Sequence, residues 1–409
     1  MTSAPPPRPH PLARSTFADK ADRLIDRVWT SGVAEKPRLE PDYLWALGAK
    51  GFSREDEVSI RSSEEVADFR ERLERLCRSL REEAQLNALG HTMAYGQLRK
   101  AIRERHALGR LWRRHPERAR TAIAAPILVV GQMRSGTTRV HRLLAADPRH
   151  VATRFCDSHH PIPVSPDIRP LVSRAALALA RRINPWLDTL HPFSPTRGDE
   201  EIGWLAAALS PPSYEAQWHI PSFVRWSEQR DPSPVYAEFA RILRTDAAHA
   251  GNAHLPRIMK CPQFCEDMPA LLGAFPDARL VLTEREDKQM WESTVSMVAG
   301  QSAYQSDALD LGTIEQEWHR RIALRNRRLR SALAHASVPV CRVAFEALNA
   351  DWRAAMREIY RALGIEMTGD AASAMEAETA RSEAQGHEAH RAQLEAFDIG
   401  VSSRKQLRA

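Results

Sequence analysis

Residues 126–138 bracket a cation with glycines: Gly131 and Gly136 enclose Arg134, and Ser135, Thr137 and Thr138 supply hydroxyls around the second glycine. Ahead of them, Ile127-Leu128-Val129-Val130 is an apolar, β-branched run, the composition of a buried parallel strand. Behind them, Val140, Leu143 and Leu144 recur at helical spacing, and Pro148 predicts a stop at Asp147 by disfavouring α geometry there. Strand, glycine-bracketed loop and helix in that order make an anion cradle. Loop N–H groups and the helix N-terminus aim at one point, where the helix dipole favours negative charge. The spacing is the G-x-x-x-x-G of a P-loop, but a nucleotide triphosphatase places Lys after the second glycine. Thr137 stands there, and the positive charge has moved into the loop as Arg134. That disfavours hydrolysis of ATP or GTP and keeps a site for a phosphate-like group. The bare spacing also fits a strand–helix turn that binds nothing.

A second cation follows a second strand signal. Residues 279–283 read as a strand after the turn Pro276-Asp277-Ala278. Arg285 lies just past its end, flanked by Glu284, Glu286 and Asp287, and Ser293 falls eight residues on, in a helix that Asp287 is placed to cap. Open parallel sheets bind ligands at the carboxyl ends of their strands, and Arg can hold a phosphate through two parallel hydrogen bonds. Alone, the same residues describe a surface Arg paired with Glu284 or Glu286.

The elements that must position these groups are legible along the chain. Strand signals at 126–130, 151–155, 257–260, 279–283 and 338–343 alternate with helix signals at 137–146, 268–275, 313–336 and 351–363, the last closed by Gly364. This alternation predicts an α/β fold, a P-loop-like parallel sheet flanked by helices, with an N-terminal α-helical extension. The extension is read from an amphipathic segment at 21–29, a capping box at Ser62-Ser63-Glu64-Glu65 leading into Val66, Phe69, Leu73, Leu76 and Leu80, and a helix through Leu98, Ile102 and Leu108. A second capping box is expected at Thr313-Ile314-Glu315-Gln316. The expected domains are a proline-rich disordered start over 1–17, the extension over 18–122, the α/β domain over 123–365, and a tail over 366–409 packing near the anion site. The extension either covers a substrate site or simply packs. Trp204, Tyr214, Trp218, Phe223 and Trp226 either line an apolar pocket or form core.

Composition narrows the classes. The 409 residues carry a net charge of +6 and an isoelectric point near 9.2, with arginines concentrated at 103–120. No nucleic-acid motif accompanies that charge, so it reads as a solvated helical face. Five scattered cysteines, an odd number, are no disulfide framework and point to a reducing, cytoplasmic setting. Cys261 and Cys265 lack a second ligand pair, so no zinc site is expected. The start has no apolar signal region, and the most apolar helix, 171–183, is too short to span a bilayer and carries Arg174, Arg181 and Arg182. No internal repeat is visible.

Arg134-Ser135-Gly136-Thr137-Thr138 resembles the 5′-phosphosulfate loop of sulfotransferases that use 3′-phosphoadenosine 5′-phosphosulfate (PAPS), with Met133 where their loop has proline. Arg285 and Ser293 match the spacing with which that family holds the 3′-phosphate. Gly131 through Pro148, Lys260-Cys261-Pro262-Gln263, Phe275 through Arg279 and Thr283 through Arg285 follow the pattern of its bacterial members in order. The tail His390-Arg391, Leu394-Glu395, Phe397 and Ile399 is similar to their C-terminal segment. The chain departs from them at Phe264, where they usually have His, at Glu284 and Glu286-Asp287 around Arg285, where they have His-Arg-Asp-Pro, at Arg139 and at Ala392.

The resemblance implies transfer of a sulfuryl group from PAPS, as co-substrate and without a metal, to a hydroxyl or amine of a small or amphipathic acceptor. Arg134 and the Ser135–Thr138 donors bind and activate the phosphosulfate, and Arg285 and Ser293 take the 3′-phosphate. Related enzymes use Glu or His as base. Glu200 and Glu201 are the first candidates, His141 stands behind them, and Lys260 is a further electrostatic partner. Acids in a first helical turn also need no catalytic role, and His141 also reads as a packing residue. A homodimer is compatible with the chain. The competing readings are a non-catalytic descendant that binds 3′-phosphoadenosine 5′-phosphate (PAP) or a partner, a P-loop small-molecule kinase, and, more distantly, a basic nucleic-acid binder.

Overall fold

The computed structural model describes residues 8–190, 192–285, 287–383 and Phe397. Five strands form one sheet: β1 Ile127–Val130, β2 Val151–Ala152, β3 Arg257–Met259, β4 Arg279–Glu284 and β5 Val340–Ala344. Their order is β2-β3-β1-β4-β5 and every pairing is parallel. Parallel strands need crossovers, and helices on both faces supply them. The period-two alternation of β1 divides the core. Leu128 and Val130 join Leu280, Leu282 and Met259 beneath the helix Ser233–Ala250. Ile127 and Val129 join Ile258, Val281 and Val343 beneath Thr137–Ala146 and Trp352–Ala362. All four β1 residues are therefore buried, which is why the run carries no polar position.

The extension is helical, with long members Ser63–Glu82 and Ala88–Arg114. Ser62 and Glu65 form the expected capping box. The interior of the extension is Phe69, Leu73, Leu76, Leu98 and Ile102, and it continues into Tyr214, Trp218 and Phe223. Four of the five aromatics resolve as core, Trp204, Tyr214, Trp218 and Phe223 being at most 2% exposed, while Trp226 is half-buried against them. Buried polar links help fasten the extension. Arg61 donates from Nη2 and Nε to the Glu238 carboxylate at 2.6 and 2.8 Å, fully buried, and the Trp112 indole donates to Thr245 Oγ1 at 2.8 Å. All five cysteines are free and buried. Among the described residues, no helix is long and apolar enough to cross a membrane.

Several local expectations are corrected. The proline-rich start was expected to lack order to residue 17. From Arg8 on it packs, because Arg8 is buried and donates to the Ser296 carbonyl at 3.2 Å, and Ser15 caps the helix Thr16–Thr30. Residues 1–7 lie outside the described residues. The helix Leu311–Ala334 starts at Asp310, whose carboxylate accepts the Thr313 N–H at 3.0 Å, so Thr313 is the capped residue and not the cap. An aspartate there outcompetes a threonine as acceptor. The helix after Glu201 is Ile202–Ala207, so Glu200 and Glu201 precede its first turn. The tail motif, Phe397 apart, and Glu286 fall outside the described residues, as does the side chain of Asp287.

Candidate active site

Because β1 pairs with β4 and β3 lies on its other side, the loops after β1 and β4 emerge together at the carboxyl end of the sheet, where ligands bind such folds. The β1 loop is closely fitted there. A Cβ on Gly131, at φ +154°, would lie 2.3 Å from Thr283 Oγ1, and one on Gly136, at φ +93°, would lie 2.6 Å from the Phe345 ring. Ser135 Oγ meets both the Gln132 carbonyl, at 2.7 Å, and Thr283 Oγ1, at 2.8 Å. That hydroxyl therefore ties the loop to β4, and the side chain is 1% exposed.

The two predicted anion sites share their residues. Arg134, at φ +68°, is held in a region that non-glycine residues seldom occupy. Arg285 Nη1 donates to its carbonyl at 2.8 Å, and Arg134 Nε donates to Ser293 Oγ at 2.8 Å. The guanidinium of Arg285 lies 4.2 Å from the centre of the Phe345 ring. Burial, and then the neighbouring Arg285 cation, push the Arg134 guanidinium down to about 10, which leaves it charged at neutral pH. Two cations converging on one cavity, with a glycine-fitted loop and a helix N-terminus beside them, make a site for a ligand carrying more than one negative charge.

Around these groups opens a cavity of about 1260 Å³. Its wall takes Arg134, Gly136, Thr137 and Thr138 from the loop and helix, Arg285 and Ser293 from the β4 side, and Glu200. Lys260, 1% exposed, stands behind: its Nζ is ion-paired with Glu200 and donates to Thr138 Oγ1 at 3.2 Å. Glu201 is not in the wall. It is wholly buried and accepts the Lys260 backbone N–H at 2.8 Å, and burial pushes its carboxyl up to about 8. His141 is also sealed in, 1% exposed, and burial, then the Lys260 cation, push it down to about 3. Of the base candidates, Glu200 alone faces the cavity. Phe264 is core, 5.9 Å from Phe239 ring to ring.

Sequence reasoning missed several wall residues. Phe345 directly follows β5, so the strand-end rule applied to that strand points to it. Arg139, an unexpected cation in the loop helix, donates to Asn349 Oδ1 at 2.6 Å, and both line the cavity. His159 lies in the wall too, and burial pushes it down to about 4. Gln97 from the extension reaches the cavity too, so the extension contributes to the site as well as packing. Glu284, an acid beside Arg285, is ion-paired with Arg342 at 2.8 Å.

A parallel sheet with a P-loop-like anion cradle, a second cation site and a carboxylate-bearing cavity defines a class of group-transfer proteins. Residues 126–369 match the profile of the sulfotransferase family, and the chain belongs to that family. The sulfotransferase STF1 of Mycobacterium tuberculosis H37Rv is 27% identical and superposes with a TM-score of 0.74, covering 89% of this chain and 100% of its own. The sulfotransferase STF9 of Mycobacterium avium shares the fold at a TM-score of 0.74 and 19% identity, covering 88% of this chain and 97% of its own. No curated relative matches the sequence.

Proposed function

We propose that the protein transfers the sulfuryl group of PAPS to a hydroxyl or amine of a small or amphipathic acceptor, with Glu200 as base. The observation that carries this reading is the convergence of Arg134, Ser293 and Arg285 on a cavity that Glu200 also lines, tied through Lys260 to Thr138 of the loop helix. Arg285 and Ser293 hold the 3′-phosphate. Arg134, with the N–H groups and hydroxyls of Thr137 and Thr138, meets the phosphosulfate. The bond from sulfur to the bridging phosphate oxygen breaks, a bond from sulfur to the acceptor atom forms, and the acceptor proton passes to the Glu200 carboxylate. Donors fixed on the departing phosphate stabilise the charge that develops there. Lys260 acts as a positioning residue through its pairing with Glu200 and Thr138.

Calorimetric titration with PAP, beside ATP with Mg²⁺, tests the donor class. Binding of PAP and not ATP is expected, and Arg285→Ala should weaken it at least tenfold, about 1.4 kcal/mol. No PAP binding overturns the reading, and ATP–Mg²⁺ binding alone moves it to a kinase, against which Thr137 in the lysine position already argues. The non-catalytic alternative drew on the acids beside Arg285, and the pairing of Glu284 with Arg342 weakens that ground.

A further inference from the structure

The helix Arg169–Ile183 has two apolar faces. One is inward: Leu177 and Ala180 line the cavity, and Ser173 is buried. The other is outward. Ile168 just before the helix, then Leu171, Val172 and Leu179, are 52%, 61%, 46% and 53% exposed, and Ala175 and Ala176 between them are exposed too. Positions 168, 171, 172, 175 and 179 fall on one stripe at 3.6 residues per turn, opposite Leu177. A soluble surface seldom displays so many large aliphatic side chains together without a partner. At its far end this helix meets the N-terminal one, where Ser15 Oγ donates to the Ile183 carbonyl at 2.7 Å, and Phe17 nearby is 40% exposed.

Charge identifies the occupant. Arg174 is exposed beside one edge of the stripe, and Arg182 is exposed at its C-terminal end. The acids at its two ends are spent within the fold: Asp167 is ion-paired with Arg169 and Arg154, both at 2.8 Å, and Asp188 with Arg181 at 2.6 Å. An exposed aliphatic stripe with arginine beside it and at its end is the pattern of a helix that lies in an anionic lipid interface. A second copy of the chain fits less well, because a two-fold contact through this helix brings these arginines against their own like charges. We infer that the outward face of Arg169–Ile183 docks the protein on an anionic membrane surface, so that its inward face forms the apolar wall of a cavity opening to an amphipathic, lipid-borne acceptor. The acceptor part rests on the sulfotransfer reading above, while the docking part does not.

The test is flotation of the full chain with phosphatidylcholine vesicles, with and without phosphatidylglycerol, alongside PAP calorimetry. Wild type should float with the mixed vesicles and stay in solution with phosphatidylcholine alone. Leu171→Glu/Leu179→Glu, two exposed positions, should lose flotation at least tenfold and keep wild-type PAP affinity and melting temperature. Arg174→Glu/Arg182→Glu should lose it as well. Intact PAP binding with no flotation overturns the docking inference alone, and lost PAP binding with flotation retained overturns only the function it was joined to. Flotation unchanged in the leucine variant, or a concentration-dependent dimer that this variant abolishes, also overturns the inference, the latter in favour of a second copy.

Discussion

Glu200 holds its carboxylate against Lys260 with its side chain 20% exposed, while Glu201, one residue on, is wholly buried and accepts the Lys260 backbone N–H. The two substitutions should therefore separate chemistry from stability. Glu200→Gln is expected to lower turnover by about 10²–10⁴-fold, the usual contribution of a positioned base, and to leave PAP affinity within a few-fold. Glu201→Gln keeps an acceptor for the Lys260 N–H and should retain turnover, but it changes the pH dependence of folding. The Glu201 carboxyl stands at about 8 in the fold, against about 4.3 for an exposed glutamate. Between those values the folded state holds the proton that the unfolded state has lost. Wild-type stability then falls as pH rises through the window, by at most about 1.4 kcal/mol per pH unit. The melting temperature of Glu201→Gln should gain on wild type from about pH 5 to about pH 8. A constant gap would mean that Glu201 is ionised within the fold.

At the scale of elements, the loop after β1 works because its glycines let Phe345 and Thr283 approach. Gly136→Ala would put a methyl 2.6 Å from the ring on which Arg285 rests, at a backbone φ of +93°. PAP affinity should fall about tenfold or more, ~1.4 kcal/mol. Gly273→Ala, in the helix Met268–Ala274 with nothing within 4 Å of the added carbon, is the control and should leave affinity unchanged and stability equal or raised, by up to about 1 kcal/mol. These elements also mark what a sequence can disclose. The strand–loop–helix, the box at Ser62 and Glu65, and the stop at Gly364 rest on neighbours in the chain, so residue order is enough to read them. The choice between Glu200 and Glu201 does not: both precede the same helix, and only the approach of Lys260, from β3, divides them. Phe345 and Gln97 reach the cavity from elements distant in sequence, and Tyr214, Trp218 and Phe223 are core because they pack against the extension.

For the whole molecule, the buried pair Arg61–Glu238 joins the extension to the α/β body. Arg61→Ala would leave a carboxylate without its main partner in a sealed site, and unfolding free energy from denaturant titration should drop by about 3–5 kcal/mol. Replacing both residues by Met should recover most of that loss, as apolar substitutes for buried ion pairs commonly do. The distribution of cysteines gives this architecture a use of its own. Cys77 lies in the interior of the extension, Cys265 and Cys341 on opposite faces of the sheet, and burial pushes the thiols of Cys77 and Cys265 up to about 12 and 11. Thiols so placed react only when their surroundings open. The chain thus carries native reporters in both of its parts, and the rate at which each sulfur takes up an alkylating reagent times the opening of the extension separately from that of the sheet.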